Sequence, residues 1–233
     1  MFGKNGIFAA QKDGKYGYVD TKNSVLVPFE YDDISNYVNN VGYGIKDGEL
    51  YLIKFGSGPS VETPSSWAVE QVSAAIAANL VPENLQSKYT QATTRAEFAS
   101  LAVTLYETVT GNAIETGNNP FTDTSDINAI KAAAIGVTTG TTETTFSPDA
   151  NLTREQAATM LSRLANAMEK PLPQQVSTFN DNASIATYAF EAVGQMQVTE
   201  IMGGVGDNTF SPKSPYTREQ SIMTIWRLFE IVE

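Results

Sequence analysis

Three arginines recur in one short phrase, and their type and position are what could do chemistry in this chain. The phrase reads Thr94-Arg95-Ala96-Glu97, Thr153-Arg154-Glu155-Gln156 and Thr217-Arg218-Glu219-Gln220, at intervals of 59 and 64 residues (153 − 94 and 217 − 153). Near-fixed spacing means one supersecondary unit used repeatedly. Thr followed three residues later by Glu or Gln is a helix capping box: the hydroxyl accepts from the N3 amide, and the longer side chain reaches back to the Thr amide. That accounts for Thr, Glu and Gln. It does not account for the arginine, because at N1 the helix dipole favours acids and disfavours cations. Three cations at one unfavourable offset point to a shared task, holding an anion or a carboxylate where a loop meets a helix start. The alternative is an arginine that forms a salt bridge with a neighbouring repeat.

The elements that must carry these arginines follow from periodicity. Apolar stripes at Phe98, Leu101, Ala102 and Leu105, at Ala157, Met160, Leu161 and Leu164, and at Ile222, Ile225, Leu228 and Phe229 predict three core-packed helices. Each is preceded by a shorter one. Trp67, Val72, Ala75, Ile76 and Leu80 predict a helix capped by Ser65 or Ser66 and ended by Pro82. Phe121-Thr122-Asp123 opens the second unit, with a helix marked by Ile127, Ile130 and Ala134 that stops at a C′ glycine, Gly136. A turn-rich loop, Thr138 to Ala150, then carries Phe146-Ser147-Pro148. The third unit repeats the scheme with Phe179-Asn180-Asp181, a helix marked by Ala186, Phe190 and Val193, a glycine-rich stretch from Met202 to Asn208, and Phe210-Ser211-Pro212.

Residues 6–55 read as β. Lys12-Asp13-Gly14-Lys15 separates two short apolar runs, Gly6 to Ala10 and Tyr16 to Asp20, and Asp-Gly there is a hairpin signal. After a Thr21-Lys22-Asn23 turn comes Val25-Leu26-Val27-Pro28, and Lys46-Asp47-Gly48 leads into Leu50-Tyr51-Leu52-Ile53. Residues 56–65, rich in Gly, Ser and Pro, read as a linker.

Composition narrows the chemistry. The chain has 233 residues, 42% hydrophobic and 18% charged, and neither Cys nor His. Thiol nucleophiles, Ser-His-Asp arrangements and the usual zinc sites are therefore excluded. No cofactor and no metal are expected. Among 26 acids no pair stands out for glycan hydrolysis, so the chain is not read as an enzyme. The net charge of −11 argues against a nucleic-acid partner. It is uneven: the first 60 residues hold six Lys against seven acids, and the remainder holds nine basic against nineteen acidic residues. An anionic partner would thus need local sites rather than the overall field. No stretch approaches the ~18 apolar residues of a membrane span. Met1-Phe2-Gly3-Lys4 is followed by a strand-like pattern, so it is not expected to be a secretory leader.

Two resemblances follow. Tyr16-Gly17-Tyr18-Val19-Asp20, Val27-Pro28 and Tyr31-Asp32 resemble the WG repeat family, with Tyr16 in the place of the usual Trp and a partial second copy 34 residues on (46 − 12). With only about one and a half such repeats, the chain is expected to be a fragment of a longer protein. Phe-x-Asp, a short helix, Gly-x-x-Gly, Phe-Ser-Pro and Thr-Arg-Glu-Gln, in that order, are similar to the S-layer homology (SLH) domain, in three tandem copies across about residues 64–231. The first copy lacks Phe-x-Asp and the glycine-rich loop; the second lacks a Trp where the first has Trp67, and Ile185 is read at that place in the third.

The expected fold is α+β: a small antiparallel β repeat segment (1–55), the linker, and an all-α helical bundle with pseudo-threefold symmetry (66–233; units about 66–110, 121–168 and 179–231). The SLH resemblance implies non-covalent anchoring of an exported protein to the bacterial cell wall, hence an extracellular, cell-surface location. The implied partner is a secondary cell-wall polysaccharide, often carrying pyruvate ketals, whose carboxylate suits an arginine. By family position the ligand-binding residues are Arg95, Arg154 and Arg218, supported by Trp67, Asp123, Asp181, Gly140 and Gly204. Residue chemistry leaves alternatives: core packing for Trp67, loop-closing Asx turns for the two Asp, and positive-φ loop positions for the two Gly. The competing function is a protein-interaction or scaffold module whose SLH sites no longer bind glycan.

Overall fold

The structure, a computed structural model, describes residues 6–37, 41–53 and 63–233. It divides into two compact units, Met1–Val61 and Glu62–Glu233. Residues 1–5 and 56–62, which include the chain start and most of the expected linker, lie outside the described residues.

Among the described residues the first unit holds two three-stranded antiparallel sheets, β1-β2-β3 (Ile7–Lys12, Lys15–Asp20, Val25–Tyr31) and β4-β5-β6 (Asp33–Ile34, Gly42–Lys46, Glu49–Ile53). The two expected hairpins form at Asp13-Gly14 and Asp47-Gly48, where both residues of each pair have positive φ. The third strand runs on through Pro28 to Tyr31, which an edge strand tolerates. Strand β5, Gly-Tyr-Gly-Ile-Lys, is absent from the sequence reading because alternating glycines resemble a loop. Its glycines are required by packing: a Cβ at Gly42 would collide with the Tyr18 ring, and one at Gly44 with Tyr31. Ile7, Tyr18, Tyr37 and Ile53 form the small core, with Tyr18 fully buried and edge-on to Tyr37 at 5.6 Å.

Among the described residues the second unit contains six α-helices: α1 (Val69–Ala77), α2 (Arg95–Thr110), α3 (Ile127–Ala134), α4 (Arg154–Ala167), α5 (Phe190–Val198) and α6 (Arg218–Val232). The long ones, α2, α4 and α6, start at complete capping boxes on Thr94, Thr153 and Thr217. Their expected stripes form one core, in which Phe98, Leu101, Leu105, Leu161, Leu164, Ile222, Ile225 and Leu228 are fully buried.

The short helices depart from the sequence reading. In α3 the buried residues are Ala129 and Ala132, whereas Ile127 is 51% exposed and Ala134 lies at the surface; small residues let this helix approach α2 closely. Helix α1 starts at Val69 after Ala68, without a side-chain cap of its own, and ends near Asn79 (φ +58°) rather than at Pro82. Ala186 precedes α5, which buries Ala192, Val193 and Met196. Gly136 does stand just past α3 with φ +74°.

The segments before the three long helices close on one another. Thr93 N–H donates to the Tyr216 carbonyl (2.7 Å), Tyr216 N–H to Leu152 (3.0 Å), and Leu152 N–H to Thr93 (2.9 Å), a cyclic set of three backbone bonds. The first free amides of each long helix then donate into the loop of the following unit. Arg95 and Ala96 donate to Ala150 and Pro148, Arg154 and Glu155 to Ser214 and Pro212, and Arg218 and Glu219 to Gln91 and Tyr89. Helix-start amides with no intrahelical acceptor are thereby satisfied, and each Thr-Arg phrase is set against its neighbour's loop.

Candidate functional site

Each groove arginine sits at N1 with its side chain almost fully buried, at 5–6% exposure for Arg95, Arg154 and Arg218. Position N1 aims it under the loop that caps the helix. Arg95 Nε donates to the Phe146 carbonyl (2.8 Å) and Nη2 to Thr138 Oγ1 (3.3 Å). Arg154 Nε donates to the Phe210 carbonyl (2.7 Å) and Nη2 to the Gly203 carbonyl (2.6 Å). The guanidinium carbons lie 5.0 Å and 4.7 Å from the Phe146 and Phe210 ring centroids, within cation–π range. Among the described residues neither arginine has a carboxylate ion-pair partner. Burial accordingly pushes both guanidinium pKa values below their usual value. Asp123 and Asp181 act on these charges only at longer range, so both desolvated cations are candidates for holding an anion.

Arg218 is different. Its Nη2 pairs with Glu97 Oε1 at 2.5 Å, its Nη1 donates to the Ser87 carbonyl, and its Nε has no acceptor among the described residues. Glu97 is the N3 residue of α2; Gln156 and Gln220 hold that place in α4 and α6. Here the neighbouring-repeat salt bridge, the alternative reading of these arginines, is what forms. Ser87 stands where the other loops place Phe146 and Phe210, each one residue before a positive-φ position (Lys88, Ser147, Ser211), so no phenylalanine occupies that place beside this arginine.

Two grooves open beside the two unpaired arginines. One, of about 410 Å³, is lined by Arg95, the loop residues Thr138 to Thr141, the α4 residues Gln156, Thr159, Met160 and Arg163, and Tyr188. The other, of about 520 Å³, is lined by Arg154, the loop residues Ile201 to Val205, the α6 residues Gln220, Met223, Thr224 and Arg227, and by Trp67 and Tyr216. Both volumes fall in the range of small-molecule sites. Each groove therefore draws its arginine from one unit, its loop and wall from the next, and an aromatic side chain from the third.

Tyr188, not Ile185, is the counterpart of Trp67. Each stands twelve residues before the positive-φ residue that follows its short helix, Asn79 or Glu200 (79 − 67, 200 − 188). Ile185 is buried at 8% exposure, whereas Trp67 and Tyr188 are 57% and 56% exposed on groove walls. Core packing therefore does not account for Trp67. The same count places Thr124 before Gly136 in the second unit (136 − 124).

The two aspartates close loops. Asp123 accepts from the Phe146 and Ser147 amides (2.8 and 2.7 Å), and Asp181 from Phe210 and Ser211 (both 2.8 Å). The Phe146 amide bond, followed by that of Ser147 and the Arg95 charge, holds Asp123 below the usual carboxylate range. The glycines separate. Gly140 has φ +83°, and a Cβ there would lie 2.5 Å from the Thr145 carbonyl oxygen. Gly204 does not have positive φ; a Cβ there would crowd the Thr209 carbonyl at 2.9 Å.

Two buried acids escaped the sequence reading because the capping phrase absorbed them. Glu155 accepts from the Ala186 amide (2.9 Å) and the Tyr188 hydroxyl (3.1 Å) and pairs with Lys213. Glu219 accepts from the Ser65 amide and hydroxyl, both at 2.9 Å. They tie down the segments entering α5 and α1, the two helices without caps of their own. Ala96 stands at the third equivalent position, and there α3 has its own cap, Asp126, which accepts from Asn128 and Ala129.

Residues 120–158 and 178–220 match the family model of the S-layer homology domain, and residues 16–51 match that of the WG containing repeat. The first helical unit lies outside the matched residues. The chain is 42% identical over 92 residues to an endoglucanase from Bacillus sp. (strain KSM-635), covering 39% of this chain and 10% of that protein. It is 25% identical over 174 residues to the exoglucanase XynX of Acetivibrio thermocellus, covering 71% of this chain and 16% of the relative. An amylopullulanase from Thermoanaerobacterium thermosulfurigenes matches at the same identity over 71% of this chain and 9% of its own length. The chain thus spans at most about a sixth of the curated relatives it matches.

Proposed function

We propose that this chain, which carries two matched S-layer homology domains and a WG-type repeat, anchors a larger exported protein to the bacterial cell wall through a third, divergent SLH unit acting together with the matched pair. SLH domains associate with the cell surface, bind cell-wall polysaccharide in general and are not catalytic, and the relatives that share this region are glycan-degrading enzymes by name. The single observation that carries the reading is the pair of buried arginines, Arg95 and Arg154, which lack carboxylate partners and border hydroxyl- or glycine-lined grooves with an exposed aromatic wall. The ligand is a secondary cell-wall polysaccharide with an acidic substituent such as a pyruvate ketal. The carboxylate meets the guanidinium, and a sugar face lies on Trp67 or Tyr188. Binding is confined to two grooves, since Glu97 already neutralises Arg218. Asp123, Asp181, Gly140 and Gly204 shape the loops rather than contact sugar.

The test is a pull-down of the full chain with isolated sacculi, before and after extraction of the secondary polymer. Retention on intact sacculi and loss after extraction is the expected result. Failure to bind intact sacculi refutes the reading. It would favour the scaffold alternative, for which the exposed apolar face of Tyr43, Ile45, Leu50 and Leu52 on β5-β6 is the specific support.

A further inference from the structure

The two grooves differ in how much charge they can accept. Arg163 and Arg227 occupy equivalent places, nine residues after the Arg at N1 of α4 and α6 (163 − 154, 227 − 218), and each lines its groove. Arg227 is committed: its Nε donates to Gln71 Oε1 (2.9 Å) and its Nη1 to the Glu200 and Ile201 carbonyls (both 3.3 Å). Arg163 is half-buried and has no hydrogen-bond or ion-pair partner among the described residues. It lines the groove together with Arg95 and Tyr188, and both charges act on the Tyr188 hydroxyl. Among the described residues no acid lines this groove; the nearby Glu155 is held by the Ala186 amide, the Tyr188 hydroxyl and Lys213. The Arg154 groove instead brings Met202, Val205, Met223 and Trp67 to its wall.

We propose that Arg163 gives the Arg95 groove a second anion site, so that this groove selects glycan units bearing two acidic groups, whereas the Arg154 groove takes a singly acidic unit and stacks it. The assignment rests on the carboxylate-binding reading above. A half-buried guanidinium with free donors adds a charge-assisted hydrogen bond where the ligand supplies a second carboxylate or a phosphate. Where it does not, that arginine stays solvated and contributes little.

Two probes of equal size separate charge from shape. One is a disaccharide joining a 4,6-O-pyruvate-ketal hexose to glucuronic acid; the other has glucose in place of the glucuronic acid. Calorimetric titration uses the full chain in two backgrounds, Arg154→Ala, which leaves the Arg95 groove, and Arg95→Ala, which leaves the other. The diacid is expected to bind Arg154→Ala roughly five- to tenfold more tightly than the monoacid, and Arg95→Ala equally with it. Adding Arg163→Ala to Arg154→Ala removes the preference, while Arg163→Lys, which keeps the charge, retains part of it. A preference that is absent from Arg154→Ala, or that survives Arg163→Ala, overturns the role of Arg163 while leaving the anchoring reading in place. No binding of either probe in either background overturns both.

Discussion

Replacing each groove arginine by alanine separates binding from stability, because the three are held differently. Arg218→Ala strands the Glu97 carboxylate and the Ser87 carbonyl. Removing one partner of a fully buried ion pair costs about 3–5 kcal/mol. Glu97 keeps 24% of its side chain exposed and also accepts from the Thr94 amide at 3.0 Å, so water and the capping box recover part of this. The expected loss is about 2–3 kcal/mol, or roughly 4–12 °C in the Tm of a unit this size. Arg95→Ala and Arg154→Ala each delete two hydrogen bonds and at least one ring contact, but also remove a desolvated charge that has no ion-pair partner among the described residues. Their cost is expected to be smaller, about 0–1.5 kcal/mol. Binding should run the other way. Each of these two substitutions removes a charge-assisted contact of about 1.5–3 kcal/mol, a weakening of roughly 10- to 150-fold at that groove, so capacity for released wall polysaccharide halves and the double variant does not bind. Arg218→Ala keeps full capacity. Calorimetric titration well below each Tm, alongside thermal melts, reads both quantities. If Arg218→Ala loses as much capacity as Arg95→Ala while folded, or if Arg95→Ala is as destabilising as Arg218→Ala, the division into two open grooves and one self-neutralised groove is wrong.

Three further outcomes are expected. Glu97→Gln, which matches α2 to α4 and α6 at this position, keeps an acceptor for the Thr94 amide and frees Arg218; in the Arg95→Ala/Arg154→Ala background it should restore weak binding of released polysaccharide, and titration showing none would place the block elsewhere. Trp67→Ala should change stability by no more than about 0.5 kcal/mol, since the ring is largely exposed, yet weaken binding at the Arg154 groove roughly three- to tenfold. Tyr216 is buried, and burial pushes its hydroxyl pKa up to about 12 from 10.0. The unfolded chain therefore gives up this proton first; the stabilisation is complete below pH 10 and is lost as pH rises toward 12, by about 3 kcal/mol. Denaturant titrations at pH 9 to 12 should show that slope, reduced in Tyr216→Phe.

What was legible in the sequence is what is local. A capping box needs only residues three apart, and all three formed at the expected Thr. The stripes on α2, α4 and α6 came through for the same reason. The short helices were less legible because their helical patterns are brief, and in α3 alanines rather than isoleucines make the close contact. The sequence reading sets Ile185 at the place of Trp67. The third unit inserts 3-10 turns at Asn182–Ser184 and Thr187–Ala189 before α5, and only counting back from the positive-φ residue finds Tyr188. Nothing in the neighbourhood of Arg163 and Arg227 along the chain reveals the grooves that they line. Which arginine lacks a carboxylate depends on contacts more than a hundred residues apart, as between Arg218 and Glu97.

The ring of backbone bonds explains why the unit that diverges most still matters to the other two. A groove needs an arginine from one unit, a loop and wall from the next, and an aromatic side chain from the third. The first unit supplies loop and wall to the groove that Arg218 would serve, and that is the groove in which Glu97 replaces Gln, Ser87 replaces Phe, and Thr124 takes the aromatic position. Its other two contributions go elsewhere. Arg95 enters the groove walled by α4, and Trp67 enters the groove walled by α6. Each open groove thus takes one chemically decisive side chain from a segment outside the family-matched residues. Divergence in the loop and wall of the first unit leaves Arg218 paired with Glu97 and Arg95 and Arg154 beside their grooves, while the cyclic contacts through Thr93, Leu152 and Tyr216 link the three units.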